Sequence, residues 1–226
     1  MARPLKWVFL DVNSYFATVE QQLRPELRGR PVAIAPVDAE TTFCIAASYE
    51  AKAYGVRTGT MVRVARDLCP ELVVVPTRTD AYVHFHRRIV EVASTVLPLD
   101  KVCSIDEMRF TLLGKEREPD AARKIAAEMK RRILRDVGSE MRCSVGVAPN
   151  HYLAKVATEM QKPDGLVVLT ADDLPHALHR LDLMAFTGIN RGMRARLHAA
   201  GIFDAERLCS VSRSELRGAF RSVLGE

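Results

Sequence analysis

Residues 101–113, KVCSIDEMRFTLL, constrain the fold more than any other stretch. Two short apolar runs, 102–105 and 108–113, flank the adjacent carboxylates Asp106 and Glu107. Val102, Ser104 and Asp106 form one alternating set and Cys103, Ile105 and Glu107 the other. That period of two, with β-branched residues, predicts strand on either side of the acids. Neighbouring side chains on a flat strand point to opposite faces, so both acids can serve one site only where the backbone turns or bulges. A solvated hairpin tip is the alternative, weakened by the lack of Asn-Gly or Asp-Gly turn chemistry. An acid elsewhere in the chain favours the site.

That acid is Asp11, which ends the apolar run 5–10 (LKWVFL). Asn13 or Ser14 is placed to cap the next helix, where Tyr15, Phe16, Val19 and Leu23 recur at helical spacing. A carboxylate there can be a capping device and nothing more. Hard divalent cations, however, prefer oxygen ligands, and Mg²⁺ typically takes one or two carboxylates with substrate phosphates and water. Asp11, Asp106 and Glu107 on neighbouring strand ends would hold two such ions ~3.5–4 Å apart, as in-line phosphoryl transfer requires. The spacing permits that chemistry without demanding it.

A chain of 226 residues can bury a sizeable core, in two or three compact units. Its 48% hydrophobic and 27% charged content is that of a soluble globular protein. A net charge of +5 favours a polyanionic partner only weakly. Five scattered cysteines with no C-x-x-C pair argue for reduced thiols in a cytosolic protein, against a zinc site or disulfide framework. The first apolar run is too short for a signal peptide and no stretch approaches a membrane span, so no membrane partner is expected.

Along the chain, strands are expected at 31–36, 44–47, 72–75, 142–148 and 166–169, with helices at 49–54, 62–68, 79–96, 119–137 and 151–160. Ser48 and Asn150 are placed to cap two of them. The basic residues of 119–137, Lys130 among them, read as a solvated face. After Thr170 strands vanish, and short helices are expected at 171–179, 191–200, 205–208 and 213–223, the last opened by the capping box Ser212-Arg-Ser-Glu215. A domain boundary is placed near Ala171, after an α/β or α+β sheet domain.

Four motifs fall in one order: FLDVNSYFATVEQ (9–21), SYEAKAYGV (48–56), SIDEMRF (104–110) and CSVGVAPNHYLAKVATEMQKPDG (143–165). Together they resemble the palm and fingers of Y-family translesion DNA polymerases, of the polymerase IV type. FTGINRGMRARLHAAGI (186–202) resembles their thumb. The resemblance covers nearly the whole chain. It implies an α+β protein: a ferredoxin-like palm with a mixed or antiparallel sheet (1–14 and 77–170), small α/β fingers (15–76), and an all-helical thumb with a helix-hairpin-helix (171–226).

Carried over residue by residue, the resemblance makes Asp11, Asp106 and Glu107 the metal-binding acids, with the Val12 carbonyl as a backbone ligand to two Mg²⁺, Mn²⁺ being the alternative. Phe16 matches the aromatic steric gate whose ring would crowd a ribose 2′-OH, although it also suits a core position. Tyr49 and Lys52 share a helix face and match the triphosphate binders, as does Lys155. In the thumb, Gly188, Asn190, Arg191, Gly192 and Arg194 match the hairpin that binds DNA phosphates, the alternative being an ordinary turn between helices.

Three departures stand out. Lys52 replaces the usual arginine, a point charge for a bidentate fork. Ala46 stands where a hydroxyl often meets the phosphates, and Asn13 where an aspartate is common. Weaker nucleotide affinity follows; lost metal binding does not. No little finger or clamp-binding segment follows Glu226, so a fragment or a naturally short relative is expected, working as a monomer in the cytoplasm (on the nucleoid, if bacterial). The resemblance implies template-directed addition of dNTPs to a primer 3′-OH on primer–template DNA. A sliding clamp would be met only through the missing C-terminal region. The rivals are a non-catalytic DNA-binding accessory protein on the same fold, and a palm-type nucleotidyl cyclase, which leaves the thumb-like tail unexplained.

Overall fold

The computed structural model of the chain describes residues 4–220. β1 (Trp7–Val12) leads into α1 (Tyr15–Leu23), then β2 (Val32–Ala35), β3 (Ala46–Ala47), α2 (Tyr49–Ala53), α3 (Val62–Leu68), β4 (Val73–Pro76) and α4 (Thr79–Ser94). β5 (Leu99–Val102), β6 (Glu107–Thr111), α5 (Pro119–Asp136), β7 (Cys143–Ala148), α6 (His151–Glu159) and β8 (Leu166–Val168) follow. The tail carries α7 (Arg191–Ala199), α8 (Ala205–Ser210) and α9 (Arg213–Phe220).

The larger sheet has the order β5-β6-β1-β7-β8, so the first strand of the chain lies at its centre. β1 is antiparallel to both β6 and β7, whereas β7 and β8 are parallel. A strand covered on both faces reads as a near-continuous apolar run, which explains WVFL. Val8, Leu10 and Val12 join Ile89, Met129 and Ile133 in the main core, and Phe9 on the opposite face joins Ala154 and Ala157 of α6. Alternation along β1 therefore turns Asp11 toward α6. Gly146 of β7 allows α6 to lie so close, since a Cβ there would overlap the Ala154 carbonyl. The smaller sheet, β3-β2-β4, packs Ala33, Ala35 and Ala47 against Ala51, Val62 and Ala65, and returns Val32 and Ile34 to the main core with α1.

The expected elements form within a few residues of their predicted ends, with informative exceptions. The strand predicted through 102–105 stops at Val102, because the Cys103 and Ser104 N–H groups both donate to the Glu107 carbonyl (2.9 and 3.2 Å). Asp106 consequently sits in the bend and Glu107 opens β6. A helix over 171–179 does not form beyond the 3₁₀ turn His176–Leu178. Pro175 lacks an N–H, and the Asp173 carboxylate accepts from the Thr170 N–H and hydroxyl (2.8 and 2.6 Å), a local alternative to helix. The helix predicted to run to 223 is described to Phe220; its end, and the outer ends of the units 1–14 and 171–226, lie outside the described residues.

Neither Asn13 nor Ser14 caps α1 through its side chain. Ser14 takes φ +49°, the left-handed region that costs a non-glycine residue, and its hydroxyl accepts from Lys52 Nζ (2.7 Å) instead. Asn13 is buried; its amide donates to Ser144 Oγ (3.0 Å) and its carbonyl accepts from the Asp164 N–H (2.7 Å). Lys130, expected on a solvated face, donates to the carbonyls of Cys143 (2.7 Å) and Asp164 (2.6 Å) and to the Asp164 carboxylate (2.6 Å). Asn13 and Lys130 thus clamp the turn at 162–165 from two sides. Asn13→Ala is expected to lower stability by about 1–3 kcal/mol in denaturant unfolding, because it strands buried partners. An unchanged midpoint would show the clamp to be idle.

Candidate active site

At the end of β1, Asp11 pairs in register with Glu107 of β6 and with Ser144 of β7. Met108 and Phe110 point into the main core, so Glu107 shares the α6 face with Asp11. Lys155, from α6, enters between them. Its ammonium contacts the Asp11 carboxylate, Glu107 Oε1 (3.0 Å) and Glu159 Oε1 (3.0 Å). Lys162 reaches the other Asp11 oxygen (2.9 Å) and Glu159 (2.8 Å). Burial alone would pull the Lys155 ammonium down, but Asp11, Glu159 and Glu107 outweigh it and hold the group well above the ordinary lysine value. Two cations thus face three carboxylates at this end of the sheet, which leaves one negative charge in excess.

Asp106 stands apart from that network. Its side chain accepts from Ser104 Oγ (2.6 Å), while its backbone carbonyl accepts from the Val12 N–H (2.9 Å) and so ties the bend to β1. Among the described residues no three His, Cys, Asp or Glu side chains are gathered as ligands of one ion. The donor set still suits a hard cation: every candidate group is oxygen, and the Lys155 ammonium already stands as a cation between Asp11 and Glu107.

These acids border a cleft of about 370 Å³. Asp11, Val12, Asp106, Glu107, Lys155, Phe16, Tyr49 and Lys52 all line it, so all eight residues predicted for metal and nucleotide meet there. Lys52 lies 4.4 Å from the Tyr49 ring centroid. Burial, then the nearby Lys162 and Arg57 charges, hold the Lys52 ammonium below its usual value. The Tyr49 hydroxyl is pushed up to about 12 by burial and by the Asp11 and Glu159 charges, which keeps it a donor. An anion entering this cleft would meet the Lys52 side chain and the protonated Tyr49 hydroxyl. Phe16 stacks at 4.5 Å on Tyr82, with its ring half-buried at the cleft wall.

The tail residues lie on a neighbouring surface. Gly188 takes φ +97°, which glycine alone adopts cheaply, and Asn190 caps α7 by accepting from the Met193 N–H (2.9 Å). Arg191 is exposed and Arg194 and Gly192 sit in the first turn of α7. Ahead of the hairpin runs a 3₁₀ turn, Leu183–Ala185, where a helix-hairpin-helix would have a helix. The Tyr152 hydroxyl donates to the Thr187 carbonyl (3.3 Å), and a second hollow lined by 184–190 also touches Glu159. The hairpin therefore adjoins the helix that carries Lys155.

Sequence reasoning missed Glu159, Lys162 and the Ser14 hydroxyl. Glu159 carried a signal, since it stands at i+4 from Lys155 on the same helical face; Lys162 lies beyond the end of α6 in the turn that follows. Ser14 carried none, because its role depends on a left-handed backbone.

A profile of the impB/mucB/samB family matches residues 10–159. The chain is 43% identical over 194 residues to DNA polymerase IV of Moorella thermoacetica, covering 85% of this chain and 48% of that protein. It is 33% identical over 218 residues to DNA polymerase IV of Bacteroides fragilis, covering 96% and 59%. Among solved structures, DinB from Sulfolobus solfataricus superposes with a TM-score of 0.85 at 29% identity, over 97% of this chain and 64% of that one. An insertion ternary complex of Dbh DNA polymerase gives 0.82 at 30% identity, over 95% and 63%. The chain thus spans about half to two-thirds of the length of these relatives.

Proposed function

Because the chain belongs to the impB/mucB/samB family of Y-family polymerases, we propose that it carries the nucleotidyl-transfer centre of a template-directed, error-prone translesion DNA polymerase. The observation that supports this most is the register pairing of Asp11 with Glu107 in a cleft that Phe16, Tyr49 and Lys52 also line. In this reading 1–14 and 77–170 are palm, 15–76 fingers and 171–226 thumb.

Asp11, Asp106, Glu107 and the Val12 carbonyl would hold Mg²⁺, two per site, with Mn²⁺ as the substitute. Bound there, the ions supply Lewis-acid stabilisation of the attacking and leaving oxygens. The chain's own residues do the rest. Lys155 and Lys162 neutralise the acids, Lys52 and Tyr49 bind the triphosphate of a dNTP, and the Phe16 ring fills the space a 2′-hydroxyl would need. The hairpin around Gly188 and Asn190, with Arg191 and Arg194, holds backbone phosphates of the primer–template.

Primer extension with Mg²⁺ and dNTPs tests the reading directly. Template-directed incorporation is expected. DNA binding without incorporation, at any enzyme excess, would replace it with the accessory-protein reading. Binding itself should depend on salt. With roughly two to four phosphates neutralised by the hairpin and its arginines, affinity is expected to fall about 12- to 150-fold between 50 and 200 mM salt. Arg191→Ala should reduce that logarithmic slope by about one, measured by fluorescence anisotropy on a primer–template duplex. An unchanged slope would remove Arg191 from the interface.

A further inference from the structure

Behind the cleft wall lies a carboxylate that no step above uses. Glu20 is 0% exposed, one helical turn beyond Phe16 on α1. Its Oε1 accepts from the Tyr82 hydroxyl (3.0 Å) and from Arg78 Nε (3.0 Å). Its Oε2 accepts from Arg78 Nη2 (2.5 Å) and faces Arg24 Nη2 (3.3 Å). Two guanidiniums reach in from the surface to a charge held in the interior, and the hydrogen bond to Glu20 raises the Arg78 guanidinium above its usual value. A buried charge of this kind persists only when its oxygens are fully used.

Tyr82 is the part of this network that faces the site. Its ring packs on Phe16 with centroids 4.5 Å apart and planes at 33°. At its far end the hydroxyl is tied to Glu20, and its backbone carbonyl accepts from the Tyr15 hydroxyl (2.6 Å). Burial pushes the Tyr82 hydroxyl up to about 12, so it remains a donor to the carboxylate. Both ends of the contact start from α1, which carries Tyr15, Phe16 and Glu20, and close on the first turn of α4. Every direct restraint on the Tyr82 ring is therefore also a restraint on the face against which Phe16 rests.

We propose that Glu20 is a positioning residue for sugar selection: by fixing Tyr82 it holds the Phe16 ring at the place where a ribose 2′-hydroxyl would fall. This rests on the reading of Phe16 as the gate. A clash discriminates only if the clashing group cannot yield, and an aromatic ring free to tilt by a few degrees yields to one oxygen atom. Glu20 supplies the stiffness, and Phe16 supplies the obstruction.

The test compares the full chain with Tyr82→Phe, Glu20→Gln and Phe16→Ala. The readout is the ratio of kcat/KM for dATP and ATP insertion opposite thymine, together with the ratio of their affinities by calorimetry in Mg²⁺, which needs no turnover. Tyr82→Phe keeps the ring and removes only its bond to Glu20. It is expected to lower both ratios roughly three- to tenfold while dATP values stay within about twofold. Glu20→Gln is expected to do the same, and Phe16→Ala to lower the ratios by about a hundredfold. A purely structural role would depress dATP and ATP alike and leave the ratios where they were. Unchanged ratios in Tyr82→Phe, beside a lowered ratio in Phe16→Ala, would overturn the positioning role and leave the gate standing. Unchanged ratios in Phe16→Ala would overturn the gate itself. Should Glu20→Gln fail to fold, Tyr82→Phe decides alone.

Discussion

Asp106→Ala and Glu107→Ala are each expected to reduce primer extension by about a thousandfold or more, with the melting temperature nearly unchanged. Lost stabilisation of the developing charge by several kcal/mol translates into a rate loss of that order. The fold should survive because neither side chain holds it together. Asp106 bonds only the nearby Ser104 hydroxyl through its side chain, and Lys155 retains Asp11 and Glu159 when Glu107 is removed. Single-turnover extension with Mg²⁺, beside a thermal melt of each variant, makes the measurement. Extension within tenfold of the parent in either variant would remove that acid from the proposed centre.

Lys155→Met is expected to act on stability and binding together. Its ammonium is mostly buried and is shared by Asp11, Glu107 and Glu159, so its removal leaves three acids facing the single charge of Lys162. Breaking such a cluster costs about 3 kcal/mol, or roughly 6–12 °C of melting temperature for a chain of this size. Millimolar Mg²⁺ should recover part of that loss, since a divalent ion takes over the neutralisation, and should do little for the parent. Affinity for dNTP should fall as well. A melting temperature equal to the parent's, with or without Mg²⁺, would show that the acids do not depend on this cation.

Much of this was legible in the chain alone. An apolar run ending in an acid gave β1, capping residues gave the starts of α2 and α6, and the bend around Asp106 followed from alternation. What stayed hidden was partnership across the fold. Lys155 matched a triphosphate binder, but nothing local says that alternation in β1 and β6 turns Asp11 and Glu107 toward the helix that carries it. Lys130 resembled its basic neighbours on α5, since the carbonyls it binds belong to β7 and the turn at 162–165. Nothing local marks Glu20, whose partners Arg78 and Tyr82 come from the start of α4, distant in the chain. Local patterns specify elements, whereas the charge of a buried site is specified by which elements meet.

The position of β1 also sets an order of assembly. β1 is made before both of its neighbours, which end at Thr111 and Ala148, so it waits, apolar and with both edges unpaired, until β6 is made. The sheet of β2, β3 and β4 needs only the residues up to Pro76 and can close long before. Contacts of such long sequence separation form slowly, because the loop must be closed before they repay it. A chain interrupted between Pro76 and β6 would hold a finished small sheet beside an exposed hydrophobic strand, prone to aggregate and without the cleft at all.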